Sequence, residues 1–294
     1  MWFGSRRQLA VFLLAPLFRR IHGQSSNPGG ASRIVSRTYR ADAVILFLGV
    51  GIYHRAGVGG GQASLEESGE GASVRRTLFF GGGSDPKRAR GLSRLGWIRE
   101  TVTGPVGAPT AVDYFGVMTS SPEESLEHAR KSVEGPAAGR SVFSAASGRH
   151  TPGHSRSAVT HFEYSSSATW NDRGLIEHAQ STFKEAPWHE TIWPNSLGQT
   201  PSTFLLELAN LLKQRTRRAA GRYVYCEQEY TMELDTAASR DRERLLQVRA
   251  KVRNLKTGKE TVFRIWLDET PDSLVPVRIE YQARSFLRLT FQAV

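Results

Sequence analysis

The sequence predicts an α+β protein: a curved, half-barrel-like antiparallel β-sheet with about three helices inserted in mid-chain. Three observations predict it. Apolar and polar residues alternate with a period of two in run after run, almost without fault in the last stretch, FRIWLDETPDSLVPVRIEYQARSFLRLTFQAV, residues 263–294. Clusters of Gly, Pro, Asp and Ser bound those runs at short spacing, as antiparallel hairpins require. Between about residues 121 and 215 the period becomes helical, and strands resume after it. Strands on both sides of the helical stretch favour one domain over 34–294, with the helices as an insertion at about 121–215, over a division near residue 150.

The chain begins MWFGSRRQLAVFLLAPLFRRIHGQSS. Arg6 and Arg7 precede an apolar run from Leu9 to Phe18, too short to span a bilayer as a helix but suited to the middle of a secretory signal. Residues 1–24 are therefore read as a signal-like segment, and export to the periplasm or outside the cell is the expected location. Arg19 and Arg20 after the apolar run leave an uncleaved anchor or amphipathic segment, or an ordinary N-terminal helix, as alternatives. Ser5-Arg6-Arg7-Gln8-Leu9 also resembles the start of a twin-arginine signal. No later run holds eighteen consecutive apolar residues. VILFLGVGIY, residues 44–53, is expected to be a buried strand because of its β-branched and aromatic content.

TYRADAVILFLGVGIYHRAGVGGGQASLEES reads as two strands joined by an irregular glycine turn, and VRRTLFF, LGWIRETV and AVDYFGVMT continue the meander. At SSPEESLEHARKSV the pattern changes. Ser121 caps, Pro122 takes the first helical position and Glu124 completes a capping box, with Leu126, Ala129 and Val133 on one face. EGPAAGRSVFSAASGRHTPGHSRS, small and polar, is expected to be a loop with at most a short strand at Val142 and Phe143. HFEY is a strand candidate. NDRGLIEHAQSTF is a second helix, with Leu175, Ile176, Ala179 and Phe183 on a stripe. PSTFLLELANLLKQR is the cleanest helix: Phe204, Leu205, Leu208, Leu211 and Leu212 share a face, and Lys213 and Arg215 suit its negative end.

From Gly221 onward the chain reads as consecutive strands: YVYCEQEYTMELD, LLQVRAKVRNL, a turn at residues 256–259, TVFRIWLD, VPVRIEY and SFLRLTFQ. Val275, Val277, Ile279 and Tyr281 point one way, with Arg278 and Glu280 the other. A sheet with one apolar face must cover it, and the leucine-rich helix near residue 208 is the available cover.

FRIWLDETPDSLVPVRIEY, an aromatic strand through Trp266-Leu267-Asp268, a short turn and Val-Pro-Val-Arg-Ile, resembles the closing hairpin of uncharacterised bacterial envelope proteins built on a domain of unknown function. Those are similar in outline to the periplasmic lipoprotein carriers, whose unclosed half-barrel holds helices as a lid over an apolar cup. The likeness covers roughly the last seventy residues. It implies a non-enzymatic role, either with a hydrophobic ligand or in the envelope, and carries over the carriers' architecture rather than their task.

At 39% apolar and 23% charged residues the composition is globular, which excludes disorder of the whole chain. A net charge of +11 and a pI near 10.1 imply anionic partners: headgroups, nucleic acid or acidic envelope polymers. The single cysteine, Cys226, excludes an intramolecular disulfide and CxxC chemistry, and its strand-like neighbours predict a packed thiol. AGVGGGQAS lacks the strand-to-helix setting of a dinucleotide fingerprint, and GGGSDPKRARG lacks the Gly-Lys-Ser/Thr of a P-loop. HFE lacks the Pro-Cys-x-x-Cys of zinc deaminases, and WHETIWP lacks a zincin's second histidine. His150 and His154 are placed in a loop. No metal or cofactor is expected, and no nucleophile pairs with a base.

The first functional reading is thus an exported, non-enzymatic protein that binds a lipid-like, apolar or amphiphilic ligand. Trp97, Phe115, Phe204, Leu208 and Trp266 are the candidate lining, with a closed core and no cavity as the equal alternative for the same residues. Arg278, Arg284 and Arg288 are candidates at the rim for an anionic headgroup. The alternative is a basic nucleic-acid-binding module, and the third reading is a hydrolase with an unidentified site.

Overall fold

The structure is a computed structural model that describes residues 33–89, 94–105, 108–119, 140–165, 167–184, 186–192, 202–225, 228–238, 245–268 and 274–294. The signal-like segment, the capping-box helix at 121–133 and Cys226 lie outside the described residues.

The first half forms β1 (Arg33–Phe47), β2 (Val50–Ser68), β3 (Arg75–Ser84), β4 (Leu95–Thr103), β5 (Ala111–Thr119), β6 (Arg140–Thr151), β7 (His154–Ser165) and β8 (His189–Ile192), with helix α1 (Arg173–Thr182) between the last two. Helix α2 (Phe204–Lys213) leads into β9 (Arg218–Tyr225), β10 (Gln228–Ala238), β11 (Leu245–Asn254), β12 (Glu260–Asp268), β13 (Arg278–Arg284) and β14 (Leu287–Ala293). All fourteen strands join one sheet in the order β8-β7-β6-β5-β4-β3-β2-β1-β14-β13-β12-β11-β10-β9. Every neighbouring pair is antiparallel. β14 lies beside β1, with Tyr39 opposite Ala293 and Ile45 opposite Leu287, so the two hairpin runs meet at a central seam.

The sheet is open, with β8 and β9 as its edges, and it curls so that the β9 edge approaches β5. α2 packs against β9 and β10 from one half and against β3 and β4 from the other. The Tyr114 ring on β5 comes within 5.8 Å of Tyr225 on β9. Alternation puts Ile98, Tyr114, Val248, Ala250, Ile265 and Phe291 on the concave face, in one core with Phe204, Leu205 and Leu211 of α2. The other face of β4–β7 carries a second core of Trp97, Phe115, Val117, Phe143 and Phe162 beneath Leu175, Ala179 and Phe183 of the α1 region. β4 and β5 are therefore buried on both faces.

The predicted class holds as a mostly antiparallel, curved and unclosed sheet with few helices. Two α-helices stand among the described residues, where the sequence predicts about three. The stretch read as a loop at 134–157 is, from Arg140 onward, largely β6 and β7, a regular ladder from Arg140 opposite Ser165 to Thr151 opposite His154. Ser, Ala and Gly dominate β6, which hid its alternation. The first hairpin turns at Leu48-Gly49, before the glycine string. Those glycines lie inside β2, where a Cβ on Gly59 would overlap the carbonyl oxygen of Gly83 on β3, and Trp170 packs over Gly60 and Gly83.

Candidate functional site

α2 positions the candidate site, and it is held in the trough by a carboxylate from the sheet. Thr203 is its N-cap residue but makes no side-chain cap of its own. Instead the Thr203 hydroxyl donates to Glu100 on β4, and Glu100 accepts the Leu205 N–H at 3.0 Å and the Leu206 N–H at 2.9 Å. A carboxylate at the positive end of a helix is favourable, and here it satisfies amide donors that the helix leaves orphaned. Glu100 is nevertheless wholly buried. Desolvation outweighs its three hydrogen bonds and pushes its pKa up to about 7. The chain ahead of the helix is tied to β9, where the Val224 N–H donates to the Ser202 carbonyl at 2.9 Å.

A groove runs along the helix in two halves. One, a cavity of about 60 Å³, is apolar: Ala63 and Leu65 of β2, Leu78 and Phe80 of β3, Phe204, Leu208 and Leu212 of α2, and Phe263 and Ile265 of β12 line it. Val275 and Pro276 close its side, fixed by the Tyr39 hydroxyl donating to the Pro276 carbonyl at 2.6 Å and by Arg37 Nε donating to the Val275 carbonyl at 3.2 Å. The other half, about 150 Å³, is polar and includes Arg33, Glu67, Arg76, Asn210 and Lys213. Leu65, Leu78, Ala209 and Leu274 line both, so the greasy cavity and the basic one adjoin across these four side chains. At the basic end, partial burial and then the adjacent Arg76 lower the Lys213 pKa, against the opposing pull of Glu67. Burial likewise lowers Arg76, whose Nη2 donates to the Gly104 and Pro105 carbonyls at 3.1 and 3.3 Å. Two cations crowded in this way favour an incoming anion.

The sequence-predicted site residues divide. Phe204 and Leu208 line the apolar half. Trp97 and Phe115 pack together at 5.1 Å in the core beneath α1, on the opposite face of the sheet. Trp266 is buried and stacks beneath Arg278 at 4.8 Å, and its strand neighbours Ile265 and Leu267 turn to the concave side in its place. Arg278 is also bonded to Glu280. Arg284 stands opposite Leu287, and Arg288 opposite Val44 and Gln282, at the seam. Glu100, Ala209, Arg76 and Lys213 are not singled out by the sequence reading as site residues. The signal for Glu100 is there: in LGWIRETV it alternates with Ile98 and Val102 on an apolar face.

A second, wider cleft of about 920 Å³ opens on the outer face. Arg75, Arg99, Arg149, His154 and Arg156 line it together with Phe183 and Trp188. Asp113 takes both arms of Arg149, at 2.6 and 2.9 Å, and Arg156 lies 4.5 Å over the Trp188 ring. His150, expected in a loop, is a buried residue of β6 that meets the Ser155 hydroxyl at 2.6 Å and stacks on Tyr114. Desolvation lowers its pKa to about 4 against the pull of Asp113. Among the described residues no group of three His, Cys, Asp or Glu side chains converges as a metal site would require, and no helix is long and apolar enough to cross a membrane.

No protein-family model matches the chain, and no curated protein matches it significantly. Among solved structures the chain is similar to the crystal structure of a beta-barrel-like protein of a domain of unknown function from Brucella abortus, at 9% identity and a TM-score of 0.39, over 90% of this chain and 98% of that one.

Proposed function

We propose that this is a non-enzymatic binding protein of the cell envelope, whose channel beneath α2 takes an amphiphile with an apolar tail and an anionic head. The observation that carries the reading is that the two cavities adjoin along α2. Four shared residues join a wall of Phe, Leu, Ile and Ala to a mouth holding Arg76 and Lys213. The tail supplies affinity by apolar burial, at about 25 cal/mol per Å², and the head answers the crowded cations. The cavities are small beside typical ligand pockets of about 300–1,000 Å³. Occupancy therefore requires the Leu208 and Leu212 side chains to swing aside or α2 to ride outward. The signal-like segment at 1–24 supports placing the protein in the envelope.

The test is native mass spectrometry of the purified protein for a co-purified lipid, followed by titration with a fluorescent fatty acid. Ala209→Phe fills both halves and should abolish binding, with the melting temperature followed in parallel. Lys213→Glu should weaken an anionic probe at least about tenfold while sparing its neutral alcohol analogue. No co-purified lipid together with no probe binding overturns the reading. The outer cleft favours a second reading, a basic nucleic-acid surface, because exposed Arg75 and Arg99 face the same space as Phe183 and Trp188. Steep loss of RNA or DNA retention with salt, relieved by Arg75→Ala and Arg99→Ala, would support it.

A further inference from the structure

The β1–β2 hairpin ends in a way that water alone does not explain. Its two-residue turn is Leu48-Gly49, with φ of 48° and 83°. A hairpin turn of this hand favours Asn, Asp or Gly at its first position, because a side chain with φ above zero is strained. Here the position holds a leucine that is 90% exposed. Around it Phe47, Val50 and Ile52 are 64%, 65% and 64% exposed, with Ile45 and Tyr53 also open to solvent. The segment expected from sequence to be a buried strand is thus the most exposed apolar feature of the described residues. Phe286 adds to it from the β13–β14 turn, where its carbonyl accepts the Leu46 N–H at 2.7 Å and its ring stays exposed.

The ladder explains the exposure. β14 last pairs with β1 at Ile45–Leu287, and β3 reaches β2 only at Gly59–Ser84. Beyond Leu46 the two-stranded ribbon stands alone for roughly 7 Å, at about 3.3 Å per residue. Its tip still pairs internally, Phe47 with Val50, so few backbone groups would be stranded by leaving water. Charge points the same way. Residues 43–58 contain no carboxylate but include His54 and Arg55. Arg40 and Arg288 flank the base of the ribbon, and Asp42 there is engaged by Arg40, His54 and the Gly57 N–H. An apolar point with a basic collar matches an interface of acyl chains under anionic headgroups.

We propose that the β1–β2 tip is a membrane-contact loop that inserts Phe47, Leu48, Val50 and Ile52 into the surface of an anionic phospholipid bilayer. The insertion is shallow, about 5–10 Å, the depth of interfacial elements. It does not depend on the channel beneath α2, and it holds whether or not that channel carries a ligand.

The experiment uses the full chain with vesicles of phosphatidylcholine mixed with phosphatidylglycerol, and of phosphatidylcholine alone. Co-sedimentation is expected with the mixed vesicles and is weaker with the neutral ones. Leu48→Asp should lower binding at least about tenfold, while Leu255→Asp, the same charge change at an exposed leucine of the β11–β12 turn, should leave it unchanged. Leu48→Trp should gain a blue-shifted emission, quenched by brominated lipid, only when vesicles are present. Equal loss in both aspartate variants, or no blue shift, overturns the proposal. So does a dimer in light scattering that Leu48→Asp dissociates, which assigns the tip to a second copy. An emission from the Leu48→Trp variant that is already blue-shifted in the lipid-free monomer overturns it too, because the chain's own residues then cover the tip. Equal binding to both vesicle types removes the anionic preference.

Discussion

Replacing Glu100 with glutamine should change the pH dependence of stability in a direction fixed by burial. In the folded protein the carboxyl has a pKa of about 7, against 4.5 for the ordinary group. Between those values the native state holds a proton that the unfolded chain has released, so unfolding free energy falls as pH rises. The fall is about 1.4 kcal/mol per pH unit, or about 3 kcal/mol from pH 4.5 to above pH 7. Its contribution is fully present below 4.5 and is gone above 7. Glutamine is neutral throughout and keeps one oxygen for Thr203 and Leu206. It turns its amide NH2, a donor, toward the Leu205 N–H, a constant cost of about 1–3 kcal/mol. The stability difference, wild type minus Glu100→Gln, should therefore favour wild type at pH 4.5 and shrink by about 3 kcal/mol by pH 7.5, to near zero or below. The comparison must be made as a difference because His150 works in opposition. Its pKa is lowered to about 4, so its effect on stability rises with pH between 4 and 6.5 and masks the Glu100 slope in the wild type alone. Urea melts followed by tryptophan fluorescence at constant ionic strength measure both proteins. A difference that stays flat, or grows with pH, would refute the claim that desolvation governs this carboxyl.

His150→Gln should remove the opposing slope, so that its unfolding free energy declines steadily from pH 4.5 to 7 in the same melts. Thr203→Val takes away a hydrogen bond that holds the Glu100 pKa down, and the decline should then extend to higher pH. Gly59→Ala should cost about 1–3 kcal/mol, because its Cβ would meet the Gly83 carbonyl, which is backbone and cannot turn aside; a neutral result would show that β2 and β3 separate more easily than their ladder implies. Trp97→Ala should cost about 3–5 kcal/mol in the same assay yet leave fatty-acid affinity unchanged, since it lies beneath α1 and away from the channel.

Strand identity is legible from the chain where large apolar residues alternate, though not in the Ser-, Ala- and Gly-rich β6, and sidedness is legible less often. In VPVRIEY and SFLRLTFQ the alternation is clean because one face sends Ile279, Tyr281 and Phe291 into the α2 core while the other carries Arg278, Glu280 and Arg288. In LGWIRETV, Trp97 and Ile98 are adjacent and both buried, one under α1 and one under α2. Nothing local distinguishes those two covers, so the sequence does not reveal that Trp97 and Phe115 face away from the trough. Phe204 and Leu208 face it because the helical stripe of α2 has only the trough to fill. The cationic mouth escapes a sequence reading because Arg76 and Lys213 lie far apart in the chain and meet only when the sheet curls. VILFLGVGIY misleads for a different reason. Apolar composition predicts burial on average, and only the unequal lengths of β1, β2, β3 and β14 leave this segment uncovered.

The seam between β1 and β14 also constrains how the molecule is made. During synthesis β1 emerges ahead of the other described strands and its partner β14 after them, so the edge of β1 stands open on the ribosome until the β13–β14 hairpin arrives. Such a pairing spans every other described strand in sequence, which slows folding and exposes an aggregation-prone edge meanwhile. A permuted gene, with residue 294 joined by a short linker to residue 33 and new ends opened between β8 and α2, would make the strands in their spatial order. It should fold faster than the natural order and need less help from chaperones.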